Sequence, residues 1–127
     1  MLLITAIIEA ATGLALLVTP YVVVEVMLGS PLETYAAVTV GHIAGAALLA
    51  LGVAAWLAPD DRQGHTARGL VAAIMIYNLG VAVILSAAGV RGQTVGIALW
   101  PAVVLHAGMA AWCIVSLLSE EDDADSD

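Results

Sequence analysis

The chain is poor in the groups that most soluble functions need. Its 127 residues carry three basic side chains, Arg62, Arg68 and Arg91, and no lysine. That leaves no basic patch to neutralise phosphates, so nucleic-acid binding is excluded as a main role. The single cysteine, Cys113, rules out an intrachain disulfide and a multi-cysteine zinc site. Charged residues make up only 11% of the chain, against about 25% in soluble proteins. There is no G-x-S-x-G, H-E-x-x-H, P-loop or Rossmann glycine pattern. The serines within apolar runs, Ser86 and Ser116, lie far along the axis from the nearest histidine, His106. No catalytic role is expected.

What remains is apolar. Hydrophobic residues reach 62%, well above the roughly 45–50% usual for soluble domains. The run from Val95 to Leu118 holds no Asp, Glu, Lys or Arg. About 20 such residues, rising about 1.5 Å each, cross a bilayer. Three more runs are long and apolar: Met1 to Thr19, Tyr35 to Leu57 and Gly69 to Ala88. The first resembles a secretory signal only superficially. It has no positive n-region, carries Glu9 in its middle, and shows no small-x-small cleavage site before Pro20. It reads as a membrane helix.

Between the first two spans, Thr19 can cap a new helix and Pro20 suits its first turn. Gly29 and Pro31 then close it. Pro20 to Leu28 is too short to cross and reads as an interfacial helix, with Tyr21 and Glu25 near the headgroups. A strand is the alternative, but a lone strand edge is not tolerated in lipid. Pro101 should bend the last span by freeing the carbonyl of Ile97. The polar loop Ala58 to Arg68 contains His65, which reads as a solvated side chain, and Thr66, a candidate cap for the third span. Six of the eleven acids, Glu120, Glu121, Asp122, Asp123, Asp125 and Asp127, follow Ser119. The chain therefore divides into a transmembrane domain, 1–118, and an acidic disordered tail, 119–127.

The expected fold is all-α: an antiparallel four-helix transmembrane bundle with one interfacial helix. Two arginines in the second loop against one in the third place both termini on the cytoplasmic side of the cell membrane. Gly41, Gly45 and Gly52 form one small-residue stripe suited to close helix packing.

Polar groups inside lipid are costly and therefore informative. Counting from the outer boundary, Glu9 and Asn78 lie about 15 Å deep and His106 about 16 Å, with His42 shallower at about 9 Å. Glu9, Asn78 and His106 thus share the midplane. On the first helix Thr5, Glu9, Thr12 and Gly13 form one stripe; on the fourth, Ala102, His106, Ala110 and Cys113 do. Asn78 lies opposite a second small-residue stripe, Gly69, Ala73 and Gly80. Tyr77 points about 100° away from Asn78, which argues against its membership. The cluster reads either as a hydrogen-bond network fixing helix register or as a proton or small-ligand site.

Two cofactor alternatives follow. His42 and His106 could be the axial ligands of a haem b. His106, Met109 and Cys113, at i, i+3 and i+7, offer soft ligands for copper, although Met and Cys at such positions ordinarily just pack.

Three segments, IEAATGLALLVTP (8–20), GHIAGAALLALGVAAWLA (41–58) and LWPAVVLHAGMAAW (99–112), resemble uncharacterised small four-helix membrane proteins of bacterial type. The resemblance implies a four-helix membrane fold and assigns no functional residue. The expected role is that of a small accessory or structural subunit acting through helix packing, in the lipid bilayer and within a homo-oligomer or larger membrane complex. A small transporter or ligand-binding protein is the alternative, and a haem or copper electron-transfer protein the third.

Overall fold

The computed structural model describes residues 2–58, 65–92 and 95–124. The described residues form five helices: α1 (Leu2–Val18), α2 (Pro20–Leu28), α3 (Tyr35–Leu57), α4 (His65–Arg91) and α5 (Leu99–Ala124). No strand occurs among the described residues. Helices α3, α4 and α5 are long and apolar enough to cross a membrane, and α1 with α2 makes a fourth if that bent pair counts as one span. The regular structure of the described residues is thus all helical, with three to four helices of the length and apolarity of membrane spans. The outer surface agrees: Ile97, Val90, Leu57, Val104 and Ile84 are all largely exposed, as lipid-facing side chains should be.

The helices pack chiefly as two pairs, α1 on α3 and α4 on α5. Within each pair the direction reverses. Gly13 faces Leu49 and Ala10 faces Gly52, while Gly89 meets Leu99 and Asn78 meets His106. Gly41, Gly45 and Gly52 are buried against the first part of the same chain. A Cβ on Gly45 would sit 2.9 Å from the Gly13 carbonyl oxygen, and one on Gly52 2.7 Å from the Ala10 nitrogen. The stripe therefore works within the chain, letting α1 and α3 approach backbone to backbone. The stripe of Gly69 and Gly80 has no neighbour within 4 Å and faces outward.

The two pairs join at three levels. At one end Ala6, Ala55, Val71, Ile74 and Cys113 form a buried cluster drawing on all four long helices. Polar side chains meet in the middle. At the other end the tail of α2 rests on the entry to α5. There the Ala98 N–H donates to the Val26 carbonyl at 3.0 Å, and Gly96 lies against the backbone of Val26 and Met27.

Helix α2 leaves α1 at 114°. Pro20 opens it, and Gly29 ends it with φ 68°, its N–H bonded to the Glu25 carbonyl. Only glycine takes that left-handed position without strain. Thr19 does not cap as expected. Its hydroxyl turns back and donates to the Ala15 carbonyl at 3.1 Å, the habitual partner of a threonine ending a helix. Thr34 does cap, accepting from the Ala37 N–H at 3.1 Å.

The bounds of the last two spans move. Helix α4 is longer than Gly69–Ala88 at both ends. Helix α5 begins at Leu99, so Pro101 falls in its first turn, where an N–H has no intrahelical partner to lose. Ile97 lies outside the helix, and the expected break in its hydrogen bonding does not arise. At its far end α5 runs through Ser119 to Ala124. No glycine or proline stops it before Ala124. Asp125 to Asp127 and the loop from Pro59 to Gly64, with Arg62, lie outside the described residues, as do the side chains of His65 and Thr66.

Candidate functional site

Glu9, at the middle of α1, is 3% exposed, and Asn78, at the middle of α4, is 1% exposed. Both face inward because each shares its helix face with residues that pack: Thr5, Ala6 and Gly13 on α1, Ile74 and Leu85 on α4. His106 on α5 is half-buried beside them. The structure brings side chains of α1, α4 and α5 together here.

The amide of Asn78 is held at both ends. Its Nδ2 donates to the Ile74 carbonyl at 2.9 Å, and its Oδ1 lies 2.8 Å from Nδ1 of His106. The first bond fixes which end of the amide faces the histidine. An amide oxygen only accepts, so His106 Nδ1 must carry the proton and donate. In the neutral ring Nε2 then keeps a free lone pair.

Glu9 does not touch this pair directly. Its carboxylate accepts a hydrogen bond from the Tyr77 hydroxyl. The Tyr77 ring in turn meets the His106 imidazole edge to face, with centroids 5.8 Å apart and planes at 80°. The site is therefore a chain of four side chains, Glu9, Tyr77, His106 and Asn78. Tyr77 is the member that sequence reasoning left out. The angular offset from Asn78 is real, but a tyrosine is long enough to reach across to α1 while its neighbour points to α5. A tyrosine beside an intramembrane asparagine was the signal that could have found it.

The remaining candidates are placed elsewhere. His42 is exposed on the outer side of α3, next to Gly41, which packs on Pro20. Only one of the two candidate haem histidines, His106, thus faces inward. Met109 and Cys113 are buried, Cys113 completely, within the apolar packing of α5. Among the described residues no three His, Cys, Asp or Glu side chains gather as metal ligands.

Chemically, the cluster can hold one proton-exchanging carboxyl in apolar surroundings, donate to it from a phenol, and present one free imidazole nitrogen. It also ties α1 to α4 and α4 to α5 at mid-depth. No protein-family model, no curated protein and no solved structure matches the chain.

Proposed function

We propose that this is a small non-enzymatic membrane protein, an accessory or structural subunit that acts through helix packing. It crosses the cell membrane four times as an antiparallel bundle, with α2 at the interface and both termini on the cytoplasmic side. The observation that carries this reading is the mutual satisfaction of the midplane polar groups. Glu9 has Tyr77, and His106 and Asn78 have each other. Such a network works as a clasp between two helix pairs.

The span count draws support from length. Helix α1 has 17 residues, at the short end of the roughly 17–25 that cross a bilayer. Exposed aromatics mark the two interfaces: Tyr21, Tyr35 and Trp100 towards one end, Trp56 at the other. The outward stripe of Gly69, Ala73 and Gly80 offers a second copy or a larger subunit a close helix approach.

Glu9→Gln is the deciding variant. Glutamine keeps an oxygen for the Tyr77 hydroxyl, so the subunit reading expects folding and association with a larger membrane complex to persist. Association is read by blue-native electrophoresis of native membranes. Migration of the unmodified protein alone, as a monomer, would overturn that reading.

A second reading has its own support. Among the described residues Glu9 is a buried carboxyl whose hydrogen-bond partner is a phenol and not a cation. An intramembrane carboxyl in that setting suits proton or small-ligand exchange. Glu9 would exchange the proton, Tyr77 would be its first partner, and His106 Nε2 would be the free acceptor. In that case Glu9→Gln abolishes transport or binding while the fold survives.

A further inference from the structure

Where α2 ends beside α4 and α5, the surface opens into a groove of about 530 Å³. Leu28, Ile84, Ala88 and Leu99 form its apolar wall, and Arg91 and Ser30 stand at its rim. The groove exists because the sequence places small residues on the last turns of α4. Gly89 lets α5 close in, with Leu99 and Trp100 lying about 3 Å from where its Cβ would be, while the 114° turn of α2 sets Leu28 and Ser30 opposite.

Three features define an occupant. Among the described residues the only charged side chain lining the groove is a cation, Arg91, exposed at the end of α4 and without an ion-pair partner there. The walls below it are apolar. From Arg91 to Ile84 the groove descends seven residues, about 10 Å along the helix, into the depth where acyl chains begin. The level is that of Tyr21, Tyr35 and Trp100, the exposed aromatics of this end.

We propose that this groove is a binding site for a phospholipid with an anionic headgroup. Arg91 holds the phosphate through its guanidinium fork, with Ser30 as an additional donor at the rim. One acyl chain lies along Ile84 and Ala88 against Leu28 and Leu99. The site is separate from the midplane cluster and does not depend on what that cluster does.

The test uses the full chain reconstituted in phosphatidylcholine vesicles, with Trp56→Phe and Trp112→Phe so that Trp100 reports. Phosphatidylglycerol brominated high on its acyl chains is titrated in, and quenching is compared with that by brominated phosphatidylcholine. The expected result is about a fivefold preference for the anionic lipid, the effect of one basic residue near the headgroups. Arg91→Gln removes that preference and Arg91→Lys retains most of it. Ala88→Phe fills the groove and lowers quenching by both lipids, with helical content unchanged by circular dichroism. Equal quenching by the two lipids in the unmodified protein would overturn the proposal. So would a preference that survives Arg91→Gln, or displacement by soluble glycerol phosphate at matching concentration, which would mean a headgroup site alone. Crosslinking of the Ala88→Cys variant to a second copy, in a Cys113→Ser background, would assign the groove to self-association instead.

Discussion

The Nδ1 of His106 lies 2.8 Å from the side-chain oxygen of Asn78, and the bond from Asn78 to the Ile74 carbonyl sets its direction. Two helices are thereby locked in register and one imidazole tautomer is selected. Asn78→Leu removes both bonds and strands the His106 N–H in apolar surroundings. Membrane-embedded hydrogen bonds contribute about 0.6 kcal/mol each on average and up to about 2. A loss of about 1–3 kcal/mol is expected in unfolding by sodium dodecyl sulfate. No change would show that Asn78 and His106 do not pair.

Glu9 and Tyr77 should respond unequally to substitution. Glu9→Gln keeps an acceptor for the phenol and should cost less than about 1 kcal/mol. Tyr77→Phe leaves the carboxyl without its donor and should cost about 1–3 kcal/mol. The double variant should be no worse than Tyr77→Phe alone, since the two report one interaction. Additive losses in the same unfolding assay would mean that the two side chains act separately.

The two glycine stripes should behave oppositely. Gly45→Leu or Gly52→Leu drives a side chain into the α1 backbone and should destabilise the protein by about 1–3 kcal/mol. Gly80→Ala meets nothing within 4 Å and should leave the monomer as stable or slightly more so, given alanine's higher helix propensity. Gly80→Leu should weaken association with a neighbour without unfolding the chain. Size-exclusion in mild detergent and thermal unfolding separate these effects.

The junction of α2 with α5 rests on Gly29 and Gly96. Gly29→Ala forces an L-residue to φ 68°, a cost of roughly 1–2 kcal/mol. Gly96→Ala pushes a methyl into the Val26–Met27 backbone. Either change should release α2, seen as faster amide exchange over residues 20–28 with the midplane protected. Uniformly faster exchange would mean that α2 is part of one cooperative unit.

Protein purified in mild detergent should show no Soret band. Two axial histidines must face one iron, and His42 is exposed on the outer side of α3 while His106 is half-buried inside the bundle. A Soret band lost in both His42→Ala and His106→Ala would overturn this placement.

Composition and periodicity alone determined that the chain is a helical membrane protein, because burying it in lipid needs only long apolar runs with satisfied backbones. They also singled out Glu9, Asn78 and His106 as polar groups at similar positions along their helices, since position follows from counting residues along a rigid helix. Gly29 and Pro20 fixed the short helix between them for equally local reasons. The partners of each polar group were decided only in three dimensions. Helical wheels give the direction of a Cβ, not the reach of a side chain, so Tyr77 looked misdirected although its hydroxyl arrives at Glu9. Which small-residue stripe is buried was also beyond the sequence: Gly41–Gly45–Gly52 and Gly69–Ala73–Gly80 are alike in pattern. Only the pairing of α1 with α3 shows that the first is consumed within the chain while the second is left facing outward.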